Sequence, residues 1–135
     1  MRSIIALGLL LAACSKQAAE PGLTPGTFAG EGRDRLCIAG ESGALRAGLI
    51  TYGKGDVNCS VSGSALKAGQ GWILVPKGEG DCRIPLEIET DVVRIGQLPA
   101  ACSYYCGPGA SMDNKSFRRD AAASSAKDVA GDPLC

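Results

Sequence analysis

The chain has no histidine among its 135 residues, and its aromatic side chains are one Trp, three Tyr and two Phe. Without imidazole, the commonest general base is missing. So are Ser-His and Cys-His nucleophilic pairs and any mixed Cys/His zinc site. Fourteen basic residues against fourteen acidic ones leave no net charge, and no basic stripe or aromatic platform points to nucleic acid. No apolar run is long enough to cross a bilayer as a helix. No paired C-x-x-C units prepare an all-thiolate metal site. These absences argue for a non-catalytic chain with no metal and no cofactor.

Cysteine is abundant: there are seven, at positions 14, 37, 59, 82, 102, 106 and 135. A core of Val, Ile, Leu and Ala in so small a domain, with few aromatics, needs supplementary cross-links. Cys37, Cys59, Cys82, Cys102, Cys106 and Cys135 form an even set, which in an exported protein reads as a disulfide framework. Six cysteines allow 15 pairings. The spacing favours 59–82, which would tie together a strand meander, 102–106, which would close a small loop, and 37–135.

Residues 1–13 carry one positive charge, Arg2, then a short apolar run ending in Leu11-Ala12-Ala13-Cys14. Length and small residues fit a signal peptide. The final four residues resemble the lipobox of bacterial lipoproteins. That resemblance implies removal of residues 1–13 and acylation of Cys14. The covalent lipid would then anchor the chain to a membrane. Ser15, in place of the aspartate associated with inner-membrane retention, implies the periplasmic face of the outer membrane. Residues 14–32, with Pro21-Gly22 and Pro25-Gly26 as breakers, read as the lipidated cysteine and a flexible tether. The wider cysteine pattern resembles that of small envelope lipoproteins of Gram-negative bacteria.

Residues 33–119 alternate short apolar runs with glycine turns, at 36–39, 45–52, 57–61, 65–67, 72–75, 82–89, 92–98 and 115–119. Leu45, Ala47 and Leu49 share one face. Cys82, Ile84, Leu86 and Ile88 alternate with Arg83, Glu87 and Glu89, the period of a half-buried strand. Pro85 lacks an amide donor and suggests an edge or bulged strand. The expectation is a mainly β fold, a small antiparallel barrel or sandwich stapled by disulfides. In residues 120–135, Asp120 can cap a short Ala-rich helix over 121–130 that Gly131 ends, and the alternative is a disordered tail.

Two places carry candidate binding residues. Tyr104 and Tyr105 lie between Cys102 and Cys106. They read either as an outward recognition loop or as a staple with one ring in the core. Ser60-Val61-Ser62-Gly63, then Trp72, then Lys77-Gly78-Glu79-Gly80, resembles the S-x-S-G … W … K-G segment of membrane-bound inhibitors of c-type lysozyme. That family consists of small β-barrel lipoproteins in which a serine and a lysine engage the catalytic carboxylates of lysozyme. The resemblance assigns these contacts to Ser62 and Lys77. Leu66 stands where that family has an aromatic. Without the resemblance, Ser-Gly is a turn and 76–81 an exposed hairpin loop.

Glu79, Asp81, Glu87, Glu89 and Asp91 form the one carboxylate cluster, read as a solvated face. The sequence therefore implies a monomeric, lipid-anchored β-domain that binds an envelope protein or glycan. Lysozyme inhibition and a structural or assembly role in an envelope complex are the alternatives.

Overall fold

The computed structural model describes residues 22–135. The leader 1–13, the lipidation candidate Cys14 and the tether as far as residue 21 lie outside the described residues. Eight strands form a closed, antiparallel, up-and-down barrel in sequence order. They are β1 (Gly26–Ala29), β2 (Arg35–Glu41), β3 (Ala44–Tyr52), β4 (Asn58–Ala68), β5 (Gly71–Pro76), β6 (Ile84–Glu89), β7 (Val92–Ile95) and β8 (Lys115–Arg119). A 3-10 helix, Ala100–Tyr105, lies between β7 and β8. The fold is the barrel expected from the alternation.

Period-two patterning decides which side chains face inward. Leu36 and Ile38 of β2, Leu45, Ala47 and Leu49 of β3, Ile84 and Leu86 of β6, and Val93 and Ile95 of β7 meet in one core. Both phenylalanines, Phe28 and Phe117, are buried there. The scarce aromatic volume is thus spent on filling the barrel.

Several expectations need correction. Within the described residues the tether reading of 14–32 fails, because 26–29 is β1, paired with both β2 and β8. The glycines and prolines mask it, but Phe28 and Leu23 are buried and close the barrel. The segments expected at 57–61 and 65–67 are one strand, β4. Its first half pairs with β3 and its second half with β5, the two registers overlapping at Gly63 and Ser64. β6 is not an edge strand, since a closed barrel has none. Pro85 is tolerated because pairing with β7 begins only at Glu87, leaving one side of the strand unpaired at the proline.

The cysteine pairing also differs. Cys37–Cys135 forms as expected, but the other bridges are Cys59–Cys106 and Cys82–Cys102. β5 lies between β4 and β6. Cys59, however, lies before the stretch of β4 that pairs with β5 and instead faces Cys106, while Cys82 precedes β6 and meets Cys102. Cys102 sits in the helix and faces the core, whereas Cys106 has already turned extended (φ −115°, ψ 137°). The two therefore diverge to different partners.

No helix forms over 121–130. The Asp120 carboxylate instead accepts the Ala122 N–H at 2.9 Å in a single turn. Residues 121–135 then run as an irregular strap across the outside of β2 and β3. An Ala/Ser segment has no apolar stripe to stabilise a helix by packing. Burial of Ala126 and the bridge from Cys135 to Cys37 favour the strap. It lies so flat that a Cβ on Gly48 would meet the Leu134 carbonyl at 2.5 Å.

Candidate binding surface

Alternation sets the orientation of β4. Cys59, Val61 and Ala65 are buried, so Ser60, Ser62 and Ser64 form its outward row. Ser62 lies opposite Lys77, whose amide donates to the Ser62 carbonyl at 3.0 Å. The structure thus places opposite each other two residues separated by fifteen positions in the sequence. Between them the backbones come very close. A Cβ on Gly63 would lie 1.9 Å from the Val75 carbonyl oxygen, so glycine is required at that position. Lys77 is exposed and makes no ion pair among the described residues. Its ammonium is available to a partner.

Lys77 opens the connection 77–83, which is held from several directions. Gly78 and Gly80 take positive φ. The Arg83 guanidinium donates to the carbonyls of Gly80 and Cys82 at 3.1 and 2.8 Å. Cys82 is bridged to Cys102 in the 3-10 helix. The far end of that helix is fastened by Cys106 to Cys59, three positions before Ser62 on β4, and Gly107 N–H donates to the Asn58 carbonyl at 2.9 Å. Up-and-down topology puts the connections 30–34, 53–57, 77–83 and 96–114 at one end of the barrel. Two disulfides therefore tie the tyrosine-bearing helix to both elements that carry Ser62 and Lys77.

Tyr104 is 87% exposed, whereas Tyr105 is half-buried against the core, with the rings edge-to-face at 5.2 Å. The staple reading, with one ring against the core, describes Tyr105, and the Tyr104 ring is exposed. The Tyr-Tyr segment is a clamped helix and not a loop closed by a 102–106 bridge.

Away from Ser62 and Lys77, the outer face of β4–β6 turns apolar. Ser64 pairs with Val75, and Leu66, Ile73 and Pro85 lie side by side across three strands. Leu66, standing in the aromatic position, is 50% exposed. A groove of about 540 Å³ runs there, with Trp72 and Ile88 in its lining. The carboxylate cluster behaves as a solvated face, with Glu89 ion-paired to Arg94 and Asp91 3.4 Å from Arg119.

Comparison with protein-family models, with curated proteins and with solved structures finds no match. The residues themselves must carry the argument.

One concavity was not legible in the sequence. It lies between the strap and the outer face of β2–β3, lined by Arg33, Arg35, Ile50, Tyr52 and Lys127 among others. Segments some ninety positions apart build it, and Cys135 was its only sequence signal.

Proposed function

We propose that this chain is an envelope lipoprotein, acylated on Cys14 and held at the periplasmic face of the outer membrane. Its barrel is a non-catalytic binding module for a protein in that compartment. The partner that fits the surface best is a c-type lysozyme, with Ser62 and Lys77 entering the carboxylate-bearing cleft. The observation that carries this reading is the backbone pairing of Ser62 with Lys77, exposed and without an ion pair among the described residues, beside a position where the strands' approach requires glycine. One hydroxyl and one ammonium can satisfy two carboxylates in a partly desolvated cleft. The adjoining row of Leu66, Ile73 and Pro85 supplies apolar area beside the charged contact, and Tyr104 offers a rigidly mounted aromatic.

One experiment tests both halves. Expressed in a Gram-negative host, the chain is expected to fractionate with the membrane and, in detergent extract, to inhibit a c-type lysozyme. Cys14→Ser should move to the soluble fraction and still inhibit. Lys77→Ala should stay with the membrane and lose inhibition by roughly 30-fold or more, since truncating one member of a buried charge pair costs about 2–5 kcal/mol. A wild-type extract that leaves lysozyme fully active rejects the lysozyme reading. A Cys14→Ser variant that remains membrane-bound rejects the anchor.

A further inference from the structure

The outward serine row of β4 is flanked by two cations, and the Ser62–Lys77 contact uses only one of them. Arg46 of β3 is the other. Leu45, Ala47 and Leu49 turn inward, so Arg46 belongs to the outer face. It lies directly opposite Ser64 and diagonal to Ser62, which puts its Cβ about 5 Å from the first and about 7–8 Å from the second. Lys77 stands on the other side of the row, paired with Ser62. Arg46 is exposed and makes no hydrogen bond or ion pair among the described residues. Arg83, by contrast, is committed to the carbonyls of Gly80 and Cys82. No acid faces Arg46 across the ladder. Its partner on β2 is Ala39, and Glu41 is two positions further along. Glu79 and Asp81 sit in the 77–83 connection, at the end of the row away from Ser64.

We infer, on the lysozyme reading above, that Arg46 is the second cation of this surface and pairs with the catalytic carboxylate that Lys77 leaves. The cleft of a c-type lysozyme holds two carboxyl groups about 5–5.5 Å apart, and both are charged once the general acid has lost its proton. The Lys77 ammonium neutralises one of them. The Ser62 hydroxyl can donate a hydrogen bond to the other, but it brings no charge. A carboxylate left without a counter-charge in a closing cleft is costly, and a guanidinium offers it two parallel N–H donors. Strand spacing and rise put the Arg46 and Lys77 Cα atoms about 12 Å apart, at diagonal corners of the Ser62–Ser64 pair. Two long side chains reaching inward from those corners can bring their charges over the hydroxyls at the separation of the carboxyl pair.

The test measures binding of the intact, oxidised chain by calorimetry. Its partners are a wild-type c-type lysozyme and two lysozyme variants, each with one catalytic carboxyl replaced by the amide. Arg46→Gln is expected to weaken binding to wild-type lysozyme about tenfold, the scale of one charge-assisted hydrogen bond. Its melting temperature should not fall, because Arg46 has no partner among the described residues. The Arg46→Gln loss should vanish against one amide variant and the Lys77→Ala loss against the other. Three results overturn the role of Arg46 while the lysozyme reading stands. Lys77→Ala may weaken binding where Arg46→Gln does not; the Arg46→Gln loss may persist against both amide variants; or both losses may vanish against the same one. A wild-type chain that does not bind lysozyme overturns both together.

Discussion

Gly63 is the residue on which the fold and the candidate surface both depend. It pairs with Ala47 on one side and Pro76 on the other, at the point where β4 changes neighbours. Its missing side chain is what lets the Val75 carbonyl approach, since a Cβ would lie 1.9 Å from that oxygen and 2.9 Å from the Pro76 Cα. The obstructing atoms are backbone, so neither side can yield by changing a rotamer. Gly63→Ala must push β5 away from β4 and with it the Lys77 amide from the Ser62 carbonyl. Overpacking of this kind costs about 1–3 kcal/mol, and a rigid neighbour places it at the upper end. A thermal melt should fall by about 4 °C or more for each kcal/mol lost. An unchanged melting temperature would mean that the strands separate freely here. The serine before this glycine was readable in the sequence, but the reason for the glycine was not, because it is Val75, twelve residues further on in another strand, that fills its space.

At the scale of elements, the strands were legible and their connections were not. Alternation in β3 and β6 announces an inward face without reference to any partner. β1 escaped notice because four residues between glycine and proline turns carry almost no period, and only the barrel's need for a closing strand explains it. The disulfides depend on spatial order. With the 3-10 helix placed between β7 and β8, its two ends meet Cys59 through Cys106 and Cys82 through Cys102, so it becomes the element that both cysteines hold. This clamp gives the 77–83 connection its fixed position. Removing Cys82 and Cys102 together, as Cys82→Ala/Cys102→Ala, frees a loop spanning a sequence separation of 20, for which the chain-entropy relation gives about 3 kcal/mol. Hydrogen exchange should accelerate first in 77–83 and in the helix, before the β2–β3 ladder. If exchange rises uniformly instead, the bridge supports the whole barrel and not this connection.

For the whole molecule, the strap makes a second layer outside the barrel. The barrel closes through hydrogen bonds between β1 and β8 and needs nothing outside itself to complete the sheet. The strap is an addition on its outer surface, closed on itself by the Leu134 amide to the Ala126 carbonyl at 3.1 Å and held to the barrel by burial of Ala126 and by Cys37–Cys135. That bridge spans a separation of 98 residues, and constraining so long a loop of the unfolded chain is worth about 4–5 kcal/mol. Its loss should therefore lower global stability strongly while leaving the native barrel intact. Cys37→Ala/Cys135→Ala is expected to melt earlier and to show fast exchange across 121–135, with β4–β6 still protected. The proposed inhibition of lysozyme through Ser62 and Lys77 would persist, because those residues are fixed by the other two bridges. Loss of that inhibition at a temperature where the barrel amides remain protected would show that the strap organises the opposite face as well, and the two-layer description would fail.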